Sequence, residues 1–352
     1  MRELRRAAVR PAPLLRTLLL VPQTRLLLLA PLLFTLLNAM PLLCTVTHAQ
    51  TSAAAKPVRM IVGLAPGGLT DQSARIIAPK LSEILGASVI VENRTGAGGA
   101  IAAEYVAKSA PDGSVIMMGF DGTLVTAPAL GPQPYDVLRD LTAISKIADS
   151  PLLITGAPNL KTRNFKELVA LIKSQPGKWD YGTAGVGSTG HLVAEQLKQA
   201  AGLHLVHIPY RGGGQVIADV MAGQLPLMLA GAPASQSQIK GGKAVGLATT
   251  GAQRLSILPE VPTVRESGIA GLENFEAYSW VGLFGPRDLP ADLTERFLAA
   301  VQKTLADPAT RQRLEQAGVV PAGNTPAQFS AQIRADLALW ARVVKQAGIK
   351  AE

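Results

Sequence analysis

From residue 56 onward, short runs of apolar and β-branched residues alternate with segments whose apolar residues recur every three or four positions. The first pattern predicts buried strands and the second predicts amphipathic helices. Their alternation predicts an α/β protein with parallel sheets covered by helices, rather than an all-α or all-β domain. The predicted strands span 58–64, 87–92, 114–120, 142–147, 152–155, 179–183, 203–208, 225–230, 244–249 and 278–284. The predicted helices span 71–85, 100–108, 164–173, 190–201, 215–221, 291–306, 308–317 and 326–347.

The alternating pattern restarts after a connection at 157–159, which contains a proline and an asparagine. Two units of similar rhythm predict two lobes. Extended segments at 152–155 and 281–283 bracket the second unit, so we expect that lobe to be inserted into the first, with two crossing strands as a hinge. The predicted boundaries are 1–49 for a signal peptide, 50–154 and 281–352 for a discontinuous lobe 1, and 155–280 for lobe 2.

The first 49 residues have a different composition from the rest of the chain. Six arginines precede an apolar run at 26–37, and Thr47-His48-Ala49 places a small residue before a cleavage point ahead of Gln50. This order is typical of a secretory signal peptide. The run is short for a membrane span, so we expect cleavage and a periplasmic protein. The alternatives are an uncleaved apolar anchor and a translation start downstream of Met1.

Most of the basic charge lies in this leader. Its six arginines and Glu3 account for +5 of the formal charge of +9, which leaves +4 for the remaining residues. No basic stripe with interleaved aromatic residues follows, so nucleic-acid binding is not expected. The single cysteine, Cys44, also lies in the leader, and its loss removes every thiol nucleophile or zinc thiolate. His204 and His207 point to opposite faces of a predicted strand, and residues 186–190 fit neither G-x-S-x-G nor a P-loop, so we expect no catalytic residue, no metal and no cofactor.

The first glycine-rich loop, APGGLTD at 65–71, joins a predicted strand to a predicted helix. Its two glycines let a ligand approach the backbone closely, and Thr70 or Asp71 is placed to cap the helix. Free N–H groups at a helix start favour an anion. A tight turn with a capping aspartate explains the same residues equally well. The candidate ligand-binding residues of this loop are Ala65, Gly67, Gly68, Thr70 and Asp71.

A second loop, GTAGVGSTGHL at 182–192, repeats the arrangement in the second unit, with a helix predicted to start at 188–190. Hydroxyl groups beside exposed backbone N–H groups suit a carboxylate. Two such loops, one from each lobe, are expected to hold one acid between them. For the histidine, a capping or packing role is a stronger expectation than a general base. The candidate ligand-binding residues here are Val186, Gly187, Ser188, Thr189 and His191.

Residues 185–190 also fit the G-x-G-x-x-G pattern of dinucleotide-binding proteins. The next predicted strand ends in HIPY at 207–210, without the acidic ribose ligand expected about 20 residues after the glycines. An NADP-dependent oxidoreductase, with Arg211 on the 2′-phosphate, is therefore only a remote alternative.

Three further loops lie between a predicted strand and a predicted helix: GAGG at 96–99, DGT at 121–123 and YRGGG at 210–214. For 96–99, close helix packing is the stronger expectation. Thr123 is a candidate ligand-binding residue with a structural role equally open. Arg211 is a candidate for a charge-assisted bond to a ligand carboxylate, or for holding its own loop.

Seven motifs occur in a fixed order across 56–347: PGGLTD, VENRTGAGGAIAAEYVAKSAPDG, PYDVLRDL, AGVGSTGHLVAEQL, HIPYRGGG, DVMAGQ and LPEVPTVRESG. In these motifs the chain resembles the Bug family, the substrate-binding proteins of tripartite tricarboxylate transporters. Any one motif is weak evidence, but their order along nearly the whole exported chain is specific.

The resemblance implies a type II periplasmic-binding-protein fold, two lobes joined by crossing hinge strands, that closes on a small carboxylate or an acidic amino acid without chemistry. It implies ligand contacts from 65–71 and 186–191, helped by bridging waters, and membrane permease subunits as partners of a monomer. Gln215 replaces a proline common in the family, and LMLAGAPAS at 227–235 lacks an acidic residue often found there, which disfavours amino acids. A periplasmic sensor for a signalling receptor is the alternative function.

Overall fold

The computed structural model describes residues 56–350, so the predicted signal peptide at 1–49 and the cleavage point before Gln50 lie outside the described residues. The strands are β1 (Val58–Val62), β2 (Val89–Asn93), β3 (Val115–Phe120), β4 (Leu141–Gly156), β5 (Asp180–Thr183), β6 (Val206–Pro209), β7 (Leu227–Gly231), β8 (Val245–Thr249), β9 (Tyr278–Pro286) and β10 (Val320–Pro321). The α-helices are α1 (Leu69–Leu85), α2 (Ala100–Ala107), α3 (Ala127–Leu130), α4 (Val137–Asp140), α5 (Phe165–Ser174), α6 (Thr189–Ala201), α7 (Gly213–Met221), α8 (Gln236–Lys240), α9 (Ala291–Ala306), α10 (Pro308–Gln316) and α11 (Pro326–Ala347).

The first part of the sheet has the strand order β2-β1-β3-β9-β4. β1 runs parallel to β2 and β3, and β9 runs antiparallel to both β3 and β4. In β1, Met60, Ile61 and Val62 are all fully buried. A continuous buried run of this kind is expected for a parallel strand that is covered on both faces.

The second part of the sheet has the order β6-β5-β7-β4. β5 is parallel to β6 and β7, whereas β4 runs antiparallel to β7 and to β8. Each part of the sheet therefore repeats the arrangement of parallel strands followed by helices that the alternating sequence pattern predicts.

β4 belongs to both parts of the sheet. Residues 141–151 pair with β9, and residues 152–156 pair with β7 and β8. β9 enters the first part at Tyr278, directly opposite Pro151. The predicted fold class, α/β with two lobes joined by crossing strands, is confirmed.

The sequence pattern predicts two separate strands at 142–147 and 152–155, but the structure has one continuous strand. The pairing of β4 with β9 shifts register between Ala143 and Ser145 and again between Lys146 and Ala148. Such irregularities disturb the alternation of side chains between the two faces. The alternation therefore breaks in the sequence although the strand does not.

The short helices α3, α4 and α8, of four or five residues each, were not predicted. They are too short to show a helical period of apolar residues. The boundaries of α9 and α11 agree with the prediction, while α1 and α7 each begin two residues earlier than predicted.

The last helix, α11, fastens to the crossing strand β9. Thr325 and Gln328 form a capping box at its start. The buried ring of Phe329 meets Trp280 of β9 edge-on, with 5.1 Å between ring centroids. Trp280 Nε1 donates to Asp336 Oδ2 at 2.9 Å. Among residues 56–350, no helix combines the length and apolar character needed to cross a membrane.

Candidate ligand-binding site

The first candidate loop lies between β1 and α1. Gly67 has a left-handed φ of +88°, Gly68 is the N-cap residue, and both glycines are exposed together with Ala65. The prediction that Thr70 or Asp71 caps the helix is wrong, because both lie inside the first turn of α1. The loop therefore presents the start of a 17-residue helix, which carries partial positive charge.

Asp71 holds this loop in shape. Its carboxylate accepts hydrogen bonds from the Gly67 N–H at 2.9 Å, from Arg75 Nε at 3.0 Å and from Asn93 Nδ2 at 2.9 Å. Burial acts to raise the pKa of Asp71, but the bonds from Arg75, Gly67 and Asn93 outweigh it and lower the pKa below its ordinary value. Asp71 is thus an ionised anchor. Thr70 beside it is buried, and its Oγ1 has no hydrogen-bond partner among residues 56–350.

Thr123 packs against the 96–99 loop. Its Oγ1 donates to the Gly98 carbonyl at 2.7 Å. A Cβ added to Gly99 would lie 2.5 Å from Thr123 Oγ1. A Cβ added to Gly63, just after β1, would lie 2.9 Å from Gly99 Cα. Within 96–99, the expected close packing is seen at Gly99, whereas Ala97 and Gly98 are exposed. The hydroxyl of Thr123 takes part in the same packing.

The second candidate loop lies between β5 and α6. The helix starts within the predicted range of 188–190, with Ser188 as the N-cap residue of α6, and Ser188 Oγ accepts from the His191 N–H at 3.3 Å. The same Oγ donates to the Gly185 carbonyl at 2.8 Å. Gly187 has a φ of +70°. Ser188 therefore closes the loop and starts the helix, while Val186 at the loop tip is partly exposed.

Replacing Ser188 by alanine is expected to lower the free energy of unfolding of the unliganded protein by about 1 kcal/mol, because the helix loses its N-cap. Urea unfolding measures this change. Ser174→Ala is a matched control at the exposed end of α5 and should change stability by less than about 0.5 kcal/mol. Unchanged stability of the Ser188 variant, combined with weaker ligand binding, would instead assign the hydroxyl to the ligand.

Two histidines lie beneath the second loop. The rings of His191 in α6 and His207 in β6 stack with 3.7 Å between centroids and 14° between planes. His191 Nδ1 accepts from the Gly187 N–H at 3.1 Å, and His207 Nε2 lies 2.7 Å from Thr183 Oγ1. Burial lowers the pKa of both rings, that of His207 to about 3. His191 therefore supports the loop as a neutral ring.

Asp121 bonds to residues from two distant parts of the chain, and sequence reasoning missed it. Its Oδ2 accepts from Thr189 Oγ1 of α6 at 2.7 Å, and its Oδ1 accepts from Ser279 Oγ at 2.5 Å and the Trp280 N–H at 3.3 Å. Burial raises the pKa of Asp121 to about 7. The sequence does place an acidic residue directly after the buried strand β3. The prediction for the 121–123 loop, however, named only Thr123 as a candidate ligand-binding residue.

The remaining candidates lie beside these contacts. A Cβ added to Gly187 would overlap the side chain of Leu130, so α3 packs directly on the second loop. Arg211 is exposed, and its backbone N–H donates to Gln215 Oε1 at 3.3 Å. The structure thus brings Thr189 and Gly187 of the second loop against the segment that follows β3. The hydrogen bonds of Asp71 in the first loop run only to residues within 67–93.

The electrostatics of the site rest on neutral or paired groups. Arg75 is half exposed and forms an ion pair with Asp71, and the two buried imidazoles are neutral. Among residues 56–350 there is no group of three or more side chains that would hold a metal ion. The positive potential available to a ligand at the two loops therefore comes mainly from the starts of α1 and α6.

Residues 73–349 match the model of the tripartite tricarboxylate transporter family receptor. The chain belongs to this receptor family. Protein BugT of Bordetella pertussis is 32% identical over 298 residues, which cover 84% of this chain and 90% of BugT. The resemblance to the Bug family is confirmed.

Two solved structures show the same fold. The R. palustris Rpa4515 structure with adipate is 32% identical, has a TM-score of 0.75 and matches 84% of this chain and 98% of its own. MatC from Rhodopseudomonas palustris, with bound malate, is 28% identical, has a TM-score of 0.70 and matches 82% of this chain and 99% of its own.

Proposed function

We propose that this receptor-family protein is exported by its signal peptide and captures a small carboxylate between its lobes in the periplasm. It then delivers the ligand to the membrane permease subunits of a tripartite transporter and performs no chemistry itself. The observation that carries the proposal is the pair of glycine-led helix starts, α1 at Leu69 and α6 at Thr189. Each presents backbone N–H groups and the positive end of a helix dipole, which together favour an anion.

The chemistry of both loops supports a ligand with few negative charges. Asp71 and Arg75 already neutralise each other in the first loop, and burial keeps His191 and His207 uncharged in the second. The Thr70 hydroxyl has no hydrogen-bond partner within 56–350 and can therefore donate a hydrogen bond to a ligand. Arg211 is the exposed cation that follows β6. We infer that backbone N–H groups, hydroxyls and bridging water hold the carboxylate.

Two lobes joined by crossing strands allow a hinged closure. We propose residues 50–154 and 281–352 as lobe 1, residues 155–280 as lobe 2, and the monomer as the functional unit. β4 changes partners between Pro151 and Leu152, and β9 begins at Tyr278. Rotation at these positions would separate α6 from the segment after β3. Because a ligand held by both lobes binds the closed form more tightly, binding energy favours closure.

The relatives support a small carboxylate as the ligand class. Rpa4515 is described with adipate and MatC with malate, and both of these ligands are dicarboxylates. The segment at 227–235 has no acidic residue for a ligand amine. We therefore expect carboxylic acids to bind more tightly than aspartate or glutamate.

A thermal melting assay tests this proposal. Residues 50–352 are unfolded and refolded to remove carried-over ligand, and melting is followed with malate, adipate, citrate, aspartate and NADP. A ligand at 100 times its dissociation constant should stabilise the protein by about 2.7 kcal/mol. Adipamide is the matched control for adipate, because it keeps the chain length and removes the charge.

A shift with a carboxylate and none with adipamide is the expected result. A shift with NADP alone would overturn the proposal, and a larger shift with aspartate than with any simple carboxylate would overturn the proposed ligand class. Deleting the gene should then slow growth on the bound carboxylate as sole carbon source. Unchanged growth would favour a sensor role over transport.

A further inference from the structure

The two candidate loops are closed by the same local device. In each, a glycine with left-handed φ stands one residue before the N-cap, and its N–H donates to the side chain of the third helical residue. Gly67 donates to Asp71 Oδ2 at 2.9 Å, and Gly187 donates to His191 Nδ1 at 3.1 Å. The loops differ in the acceptor, which is a carboxylate in the first and an imidazole in the second.

The Gly187 bond fixes the protonation state of His191. Nδ1 accepts this bond only while it carries a lone pair, so the proton of the neutral ring lies on Nε2. Nε2 lies 3.8 Å from Glu195 Oε1. The imidazole is the side-chain acceptor of the Gly187 N–H, and Leu130 packs on the other side of Gly187, where a side chain would lie.

His207 supports the other end of the same loop. Its Nε2 lies 2.7 Å from Thr183 Oγ1, which in turn donates to the Gly185 carbonyl at 3.1 Å. The stacked rings of His191 and His207 therefore hold the loop at Gly187 and at Gly185.

The groups around the stacked rings determine the pH at which His191 takes up a proton. Glu195 and Lys198 lie near His191 on the same helix, α6, and Tyr181 of β5 packs against the ring of His207. Glu195 Oε1 accepts from Lys198 Nζ at 2.6 Å and from the Tyr181 hydroxyl at 2.9 Å. Burial lowers the pKa of His191, with Glu195 acting to raise it and Lys198 to lower it. With ring centroids 3.7 Å apart, both rings do not carry charge together.

We propose that His191 is a positioning residue for the second ligand loop: its neutral ring holds the Gly187 N–H, and protonation of Nδ1 removes this acceptor and frees the loop. The Asp71 anchor of the first loop stays ionised under the same conditions, because its pKa is lowered. Acidification therefore loosens one lobe's loop and not the other's. Weaker ligand binding at acidic pH is the consequence, and this consequence rests on the proposed carboxylate function.

NMR spectroscopy of ¹⁵N-labelled protein tests the positioning role without any ligand. The protein from Gln50 onward contains only His191, His204 and His207, so the ring signals are few. At pH 7.5 we expect the His191 proton on Nε2. On acidification, the Gly187 amide signal should shift with the same midpoint as the His191 ring. A proton on Nδ1 at pH 7.5, or a Gly187 signal that does not follow His191, would overturn the proposal.

Variants separate positioning from packing. His191→Asn keeps an acceptor for Gly187 that does not titrate, so its Gly187 signal should be independent of pH, whereas His191→Ala removes the acceptor. His204→Asn, at an exposed position, is the matched control, and its Gly187 signal should shift with pH as it does in the wild type. A Gly187 signal that still titrates in His191→Asn would show that another group is responsible.

Calorimetry with malate and adipate at pH 7.5 and pH 5 tests the consequence for binding. Protonation of the ligand itself affects all variants alike, so we expect affinity to fall more between pH 7.5 and pH 5 in the wild type and in His204→Asn than in His191→Asn. At pH 7.5, His191→Ala should bind about tenfold more weakly, the equivalent of one hydrogen bond of about 1.4 kcal/mol. A loss of affinity in His191→Asn as large as that in the wild type would contradict the proposal. Because the NMR titration uses no ligand, it decides the role of His191 even if the carboxylate function is wrong.

Discussion

Replacing Asp121 by asparagine is expected to stabilise the protein at pH 8 by about 2 to 4 kcal/mol. Burial raises the pKa of the folded-state carboxyl from the ordinary value of 3.8 to about 7. Between these two values the folded protein keeps a proton that the unfolded chain releases, so the stability of the wild type falls as the pH rises from about 4 to about 7. Asparagine is neutral throughout and mimics the protonated acid, because its oxygen accepts from Ser279 and Trp280 and its amide donates to Thr189.

Urea unfolding at pH 4 and pH 8 measures this effect. The two proteins should have similar stability at pH 4, and the variant should gain its advantage as the pH rises. Asp112→Asn is the matched control: Ser114 hydrogen bonds lower the pKa of that exposed carboxyl, so its replacement should bring no gain at pH 8. An Asp121 variant that is less stable than the wild type at pH 8 would show that the charged carboxylate is needed by its three donors.

Replacing Gly190 by alanine is expected to destabilise the protein by about 2 to 3 kcal/mol. Gly190 is the second residue of α6, and an added Cβ would overlap the carbonyl oxygen of Leu229 in β7. A backbone oxygen within a paired strand has little freedom to move away. The start of α6 would be displaced from β7, and with it the Thr189 hydroxyl that bonds to Asp121.

Gly214→Ala is the matched control for this change. Gly214 is also the second residue of its helix, α7, but nothing lies within 4 Å of an added Cβ. Alanine there should be neutral or stabilise by up to about 1 kcal/mol through its higher helix propensity. Thermal unfolding of both variants, followed by titration with the carboxylate that binds the wild type, makes the comparison. Equal stabilities would mean that α6 has room to shift on β7 without cost.

Local sequence signals predicted the helix starts with unequal success. The start of α6 was predicted at 188–190, and the structure places the N-cap at Ser188. In the first loop, two glycines precede Leu69, so the same type of signal was assigned to Thr70 or Asp71. In the structure the N-cap residue is Gly68, and the side chain of Asp71, in the first turn of the helix, accepts a hydrogen bond from the preceding Gly67 N–H. A side chain three residues into a helix and one at its cap produce similar sequence patterns, and only the backbone path distinguishes them.

Strand prediction failed where neighbouring strands override the local pattern. Residues 141–156 form one strand although their apolar residues do not alternate regularly. β4 pairs with β9 along its first part and with β7 and β8 along its last part. Each set of partners buries a different set of side chains. The two halves of this strand therefore have different patterns of apolar residues, and the sequence predicts two strands where there is one.

The sequence by itself determined the α/β class, the two-unit rhythm, the glycine-led helix starts and the family, because each depends on residues close together in the chain or on ordered motifs. Only the tertiary structure decided which side chains meet. Asp121 bonds to Thr189 across 68 positions and to Ser279 across 158, and His191 stacks on His207 from a different element. These contacts depend on how strands pair and helices pack, and burial at these contacts raises the pKa of Asp121 and lowers the pKa values of His191 and His207.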